Sequence, residues 1–256
     1  MAFAERVFQA VAQRTGLTIS RSTTLAKTLP IEASTGDKSI IEKVDPFTMT
    51  SWGRLWALLE SVRYAEEAEI PGAFVECGVW RGGSVMAMAY KLLGLNGATR
   101  DLWLYDTFTG MTNPTAADID ATTGVSAASV LATTAVGNGD NIWCVAGLAD
   151  VKANVSTTGY PTEKVTYVEG DVASTLLDEI PEQIAILRLD TDWYESTKTE
   201  LEVLYPRLAH GGICILDDYG HWQGARQAVD EYFSNNPPRP LIMPVDFSGR
   251  IFIKDS

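Results

Sequence analysis

Four aspartates, Asp190, Asp192, Asp217 and Asp218, follow directly on two apolar runs, Ile184 to Leu189 and Ile213 to Leu216. If those runs are neighbouring strands of a parallel sheet, the four carboxylates share one rim, the rim where such sheets bind ligands. Like charges gathered there repel unless something positive sits between them. A hard divalent ion with oxygen ligands meets that need, and Mg²⁺ is its usual form. The same residues also suit a metal-free arrangement in which Asp217-Asp218 caps the next helix and Asp192 is solvated. A second group lies at residues 72–84, Gly-Ala-Phe-Val-Glu-Cys-Gly-Val-Trp-Arg-Gly-Gly-Ser. Glu76 closes a short apolar run, Gly78 and Gly82-Gly83 form a turn, and from Ser84 the residues Val85, Met86, Met88, Ala89 and Leu92 keep helical spacing. Glycines let the backbone turn tightly and let a ligand approach, and the helix N-terminus beyond them favours an anionic group. The spacing differs from the Gly-x-Gly-x-x-Gly of dinucleotide folds and lacks the Gly-Lys-Ser/Thr ending of an ATPase loop, which weighs against an NAD-linked dehydrogenase. A third candidate is Asp106, at the end of Leu102 to Tyr105. A carboxylate there can accept from both hydroxyls of a ribose, or simply cap a strand in solvent.

The elements that must hold these residues alternate strand and helix, the pattern of an α/β sheet. Strands are predicted at 73–76, 102–106, 165–169, 184–189 and 213–216, with two further runs, Leu241 to Val245 and Arg250 to Lys254, around the turn Ser248-Gly249. That gives seven strands, mostly parallel, with flanking helices and one antiparallel strand from the final hairpin. Thr50 or Ser51 caps a helix running to about Ala68. Further helices are expected over 146–158, 195–208 and 223–233. Residues 111–145 are long for an α/β connection and read as a lid or a flexible insertion. Phe3, Val7, Phe8 and Val11 keep helical spacing, while 15–45 read as a polar, mobile arm. The chain therefore divides into residues 1–45, a helix and arm for covering the site or for oligomerisation, and one main domain, 46–256. The leading amphipathic segment suits a homodimer or larger homo-oligomer.

Composition narrows the class. A net charge of −13 argues against a nucleic-acid substrate, since neutralising phosphates requires lysine and arginine. No apolar run approaches the roughly 20 residues of a membrane span, and the opening Met-Ala-Phe-Ala-Glu-Arg lacks a signal-peptide layout. A cytoplasmic protein is expected. Cys77, Cys144 and Cys214 show neither metal spacing nor a disulfide framework and read as core thiols.

Taken in order, Glu-Cys-Gly-Val-Trp-Arg-Gly-Gly-Ser, Tyr-Asp-Thr-Phe-x-Gly-Met, Leu-Arg-Leu-Asp-x-Asp-x-Tyr-Glu-Ser-Thr, Leu-Asp-Asp-Tyr and Gly-Ala-Arg-Gln-Ala-Val-Asp resemble the macrocin/mycinamicin-type sugar O-methyltransferases over residues 46–254. The resemblance implies a class I, Rossmann-like methyltransferase fold. It also implies S-adenosylmethionine (SAM) and Mg²⁺ as cofactors, and a glycosylated small molecule such as a macrolide as the acceptor. It places Asp190, Asp217 and Asp218 on the metal, and Glu76, Gly78, Ser84, Asp106, Phe108 and Gly110 on SAM. The Phe47-Thr48-Met49 segment covers the cofactor, with Met49 in contact. Residues just past the third strand, Asp171 and Val172, meet the adenine edge, although this chain has Gly-Asp-Val where the family often has Gly-Trp-Phe. The insertion 111–145 carries no family pattern.

The implied reaction transfers a methyl group to an alcohol oxygen. Metal coordination lowers the hydroxyl pKa, and Asp192 or Asp190 takes the proton, with His221 as an alternative base. Trp193, Tyr194 and Tyr219 are candidate walls for the acceptor or part of the core. A catechol-type O-methyltransferase and a non-catalytic SAM-fold binding protein are the two rival readings.

Overall fold

The computed structural model describes residues 27–136 and 142–255. The predicted helix at 3–14 lies outside the described residues. The elements in chain order are α1 (Thr35–Val44), α2 (Trp52–Glu67), β1 (Ala73–Cys77), α3 (Gly83–Leu95), β2 (Leu102–Asp106), α4 (Ala127–Thr133), α5 (Leu148–Ser156), β3 (Val165–Glu169), α6 (Val172–Thr175), β4 (Ile184–Leu189), α7 (Tyr194–Val203), β5 (Leu208–Leu216), α8 (Gln223–Asn235), β6 (Met243–Pro244) and β7 (Arg250–Ile253).

The seven strands form one sheet in the order β3-β2-β1-β4-β5-β7-β6. Strands β1 to β5 are parallel, and β7 runs antiparallel to both β5 and β6. Every residue of β1 and β4 is buried, as expected for central parallel strands covered on both faces. The chain leaves β1 in one direction toward β2 and returns on its other side as β4. The carboxyl ends of β1 and β4 therefore flank the crevice where strand order reverses. The last hairpin matches the expected topology, but β6 is only two residues long. Pro244 lacks a ladder donor and suits an edge position.

Of the reading of 15–45 as a mobile arm, 15–26 lie outside the described residues, and residues 35–44 correct their part of it. They form α1, whose Ser34 and Asp37 make a reciprocal capping box that satisfies helix-end donors. Ile41 and Val44 are fully buried, and Lys91 Nζ donates to Asp37 Oδ1 at 2.6 Å. Helix α2 starts as predicted, with Ser51 accepting from the Arg54 amide, and buries Leu55, Leu58, Leu59, Val62 and Ala65. Helix α7 ends before its predicted limit, where Pro206 tightens the chain into a 3₁₀ turn. No helix among the described residues is long and apolar enough to cross a membrane.

Candidate active site

A single cleft of about 670 Å³ opens at the carboxyl ends of β1, β2, β4 and β5. At one end it is lined by Met49, Gly78, Ser84, Asp106, Gly110, Asp171 and Val172, and Glu76 also lines it, sharing Arg188 Nη1 with Asp190. At the other end stand Asp190, Asp192, Asp217, Asp218 and His221. The structure thus gathers the residues expected at the cofactor, the metal and the proton transfer into one space, with Phe108 as the exception among them. Its side chain is buried in the apolar core and does not line the cleft. What Phe108 supplies is a backbone N–H, 2.7 Å from Asp106 Oδ1.

Asp106 is held by its surroundings. Besides Phe108, the amides of Val79 and Trp80 donate to Oδ2 at 2.8 and 3.1 Å. This carboxylate clamps the end of β2 to the glycine loop. Thr107 Oγ1 adds a long contact to Oδ1 at 3.5 Å. A carboxylate offers roughly four acceptor positions, so about one at most remains for a ligand hydroxyl, fewer than a two-hydroxyl clasp requires. Gly78 has φ +80, and a Cβ there would lie 2.0 Å from the Asp190 carbonyl oxygen. Only glycine lets β1 and β4 approach so closely just before the loop. Asp171 caps α6 through Ala173 N at 2.9 Å.

Two arginines organise the acidic end. The Arg188 guanidinium, 2% exposed, donates from Nη1 to Glu76 Oε1 and Asp190 Oδ2, both at 2.6 Å. From Nη2 it donates to Asp217 Oδ1 at 2.7 Å and Thr50 Oγ1 at 2.9 Å. Arg54 of α2 pairs with Asp217 Oδ2 and reaches Asp246 at 3.1 Å. Sequence reasoning had no role for either residue. Arg188 did leave a signal, because a lone charge inside an otherwise apolar buried strand must be paired. Arg54 left none.

Burial raises the pKa of Glu76 and of Asp192, each to about 7. Neighbouring carboxylates push Asp192 the same way, whereas Arg188 pulls Glu76 down. Burial also raises Asp190 and Asp218 well above the usual carboxylate range, with Arg188 opposing it at Asp190 and with Asp192 and Asp217 adding to it at Asp218. Asp192 sits at φ +67, accepts from Trp222 Nε1 at 2.9 Å, and donates its amide to Asp218 Oδ2 at 3.3 Å.

The site tolerates a cation. Asp190, Asp217 and Asp218 each bring an oxygen within 4.8 Å of the others. Five carboxyls, those of Glu76, Asp190, Asp192, Asp217 and Asp218, face two guanidiniums; burial and mutual repulsion disfavour ionising them together, and a cation among them would favour the ionised forms. Asp217 already engages both oxygens with arginine, whereas Asp190 keeps one oxygen clear of Arg188.

The acceptor walls differ from those expected. Trp193 is buried and donates to Thr112 O. Tyr194 bonds Glu231, and Tyr219 bonds Asp230. None of the three lines the cleft; Met111, Val130, Ile142, Trp222 and Phe247 do. The insertion supplies the first three. It contains α4 and pairs by isolated bridges, Ile119 with Ser126 and Asp120 with Trp222, so its described part is a structured cap.

Comparison with known proteins agrees with this geometry. The family model described as Macrocin-O-methyltransferase (TylF) matches residues 42–254. The 8-demethyl-8-(2,3-dimethoxy-alpha-L-rhamnosyl)-tetracenomycin-C 4'-O-methyltransferase of Streptomyces olivaceus is 33% identical over 75% of this chain and 70% of its own. The mycinamicin III 3''-O-methyltransferase of Micromonospora griseorubida is 30% identical over 79% and 76%. Among solved structures, the O-methyltransferase NovP superposes with a TM-score of 0.71 at 27% identity, covering 82% of this chain and 83% of that one. With its class I sheet, its glycine loop and its rim of aspartates, the chain belongs to the macrocin-O-methyltransferase (TylF) family and is an O-methyltransferase.

Proposed function

We propose that this enzyme methylates a sugar hydroxyl of a glycosylated natural product, with SAM as donor and a divalent ion, Mg²⁺, held by Asp190, Asp217 and Asp218. The observation that carries the reading is the continuity of the cleft. The glycine-loop end and the aspartate end open into one space, so donor and acceptor can meet without an intervening wall. The sugar acceptor is argued from the relatives, whose names specify a rhamnosyl-tetracenomycin and mycinamicin III.

The residues divide the work. Glu76 Oε2 is buried without a hydrogen-bond partner, and an orphaned acceptor of this kind is costly unless a ligand donor reaches it. SAM carries such donors in its ammonium and ribose groups. Asp106 and the loop amides fix the shape of the cofactor end, and Met49 covers it. A divalent ion at the three aspartates would supply a Lewis acid that lowers the pKa of a bound hydroxyl. Asp192 receives the hydroxyl proton as the O–C bond forms and the S–C bond breaks, releasing S-adenosylhomocysteine. Its elevated pKa suits a base working near neutrality. Holding both reactants in line can supply roughly 7–11 kcal/mol of the barrier reduction.

The test is calorimetric titration with SAM and S-adenosylhomocysteine in Mg²⁺ or in EDTA, followed by mass analysis of rhamnosylated polyketide and catechol acceptors. Asp217→Asn is expected to bind S-adenosylhomocysteine as wild type does and to lose turnover. Full activity of that variant in EDTA would refute the metal assignment. Methylation of the catechols alone would move the acceptor class from sugars to phenols.

A further inference from the structure

We propose that Trp222 is the positioning residue for Asp192, and that the inserted segment 111–136 is the brace that keeps it in place. The inference rests on the reading of Asp192 as the group that takes the proton. Asp192 has a left-handed backbone conformation, φ +67, which a non-glycine residue holds only when its surroundings enforce it. Trp222 fixes the side chain that this backbone presents, with Nε1–H donating to Oδ1 at 2.9 Å. A base oriented by a third group is a recurring arrangement in catalytic sites.

The indole is itself fixed on two faces. It meets Trp193 edge-on, with ring centroids 5.0 Å apart at 71°, and it stacks on His221 at 4.7 Å and 20°. Its backbone is tied to the insertion. Ala121 N donates to His221 O at 2.8 Å, and Gln223 N donates to Ile119 O at 2.9 Å, on either side of the bridge between Asp120 and Trp222. The same segment also grips the other partner. Asp118, with 0% exposure, accepts from Tyr194 N at 2.8 Å, two residues beyond Asp192. Asp118 packs so tightly against α8 that a Cβ on Gly224 would lie 1.9 Å from its Oδ1. One stretch of chain therefore holds both ends of the Trp222–Asp192 bond. This gives the insertion a catalytic purpose separate from covering the acceptor.

A double-mutant cycle tests the proposal, using kcat and KM for SAM and for the acceptor together with calorimetric binding of S-adenosylhomocysteine. Trp222→Phe keeps a ring and removes the donor. It is expected to lower kcat roughly 10- to 100-fold, the scale of a misplaced reacting group, with the KM for SAM unchanged. In an Asp192→Asn background the same change is expected to cost nothing more. Wild-type kcat in Trp222→Phe, or a loss that multiplies in full with that of Asp192→Asn, overturns the proposal. Wild-type turnover in Asp192→Asn overturns the base assignment itself, and the two failures are thereby told apart. Should Trp222→Phe fail to bind S-adenosylhomocysteine, benzothienylalanine placed at 222 by codon suppression keeps the ring shape and lacks the N–H. The same loss of kcat is expected from it, and normal kcat overturns the proposal.

Discussion

Replacing Arg188 by methionine would remove the one guanidinium that touches Glu76, Asp190 and Asp217 together. The loss falls unevenly on its partners. Asp217 keeps Arg54, and the Asp190 side chain is 26% exposed, so water compensates part of its share. Glu76 is 2% exposed and already has one oxygen without a partner. Removing one member of a buried ion pair costs about 3–5 kcal/mol, which for a domain of this size corresponds to a fall in Tm of about 6–20 °C. The sign of the pH dependence follows from Glu76. Its folded pKa, about 7, lies above the ordinary 4.5. The stability due to its protonated form is fully present below about 4.5 and is lost as pH rises through about 7. Arg188 lowers that pKa, so without it the window extends upward and the deficit is larger at pH 8 than at pH 5.5. Urea denaturation of wild type, Arg188→Met and Arg188→Met/Glu76→Gln at both pH values measures this. The double variant is expected to regain part of the loss at pH 8. A deficit under about 1 kcal/mol, or one equal at both pH values, would refute the assignment of Arg188 as the charge that holds the site together.

Three further substitutions check other parts of the structure. Gly78→Ala places a methyl 2.0 Å from a backbone oxygen at positive φ, and is expected to destabilise the fold by more than about 1 kcal/mol and to abolish S-adenosylhomocysteine binding. Gly94→Ala, in α3 with open space around it, should instead gain about 0.5–1 kcal/mol, and equal effects of the two in urea denaturation would contradict the crowding at Gly78. Phe247, 68% exposed beside His221, is expected to act on the acceptor alone. Phe247→Ala should raise the acceptor KM several-fold and leave the KM for SAM unchanged, and a matching rise in both would place the ring elsewhere.

Much of the site was legible because its signals are local. The run from Ala73 to Leu92 shows strand, loop and helix within one window, and Asp190, Asp217 and Asp218 follow their strands immediately. What stayed hidden depends on partners distant in the chain. Helix α1 buries only a narrow stripe, and one of its anchors is Lys91, which meets Asp37 across 54 residues. Arg54 occupies an ordinary helix position until β5 brings Asp217 beside it. The choice between wall and core for the aromatic residues stayed open because residue type gives no direction. Trp193 and Trp222 touch each other, yet one faces the core and the other the cleft. Phe108 shows the same limit, since its motif position is kept while its ring turns inward.

Ser51 Oγ bonds Asp246 at 2.8 Å across 195 residues, and Ser248 Oγ bonds the Asp217 carbonyl oxygen at 2.5 Å. The hairpin that ends in β7 thus fastens the start of α2 to the aspartate rim. During synthesis, a growing chain has every predicted cofactor and metal residue in hand well before it reaches this hairpin, yet Ser51 and the Asp217 carbonyl lack these two contacts until the ribosome has moved past it. Closing so long a loop is slow. In that interval β5, with Ile213 and Ile215, presents an open edge to any neighbouring nascent chain, the exposure that favours aggregation. Order in time therefore runs opposite to order in sequence here: the glycine loop is made early, and the last strand decides when it becomes a site.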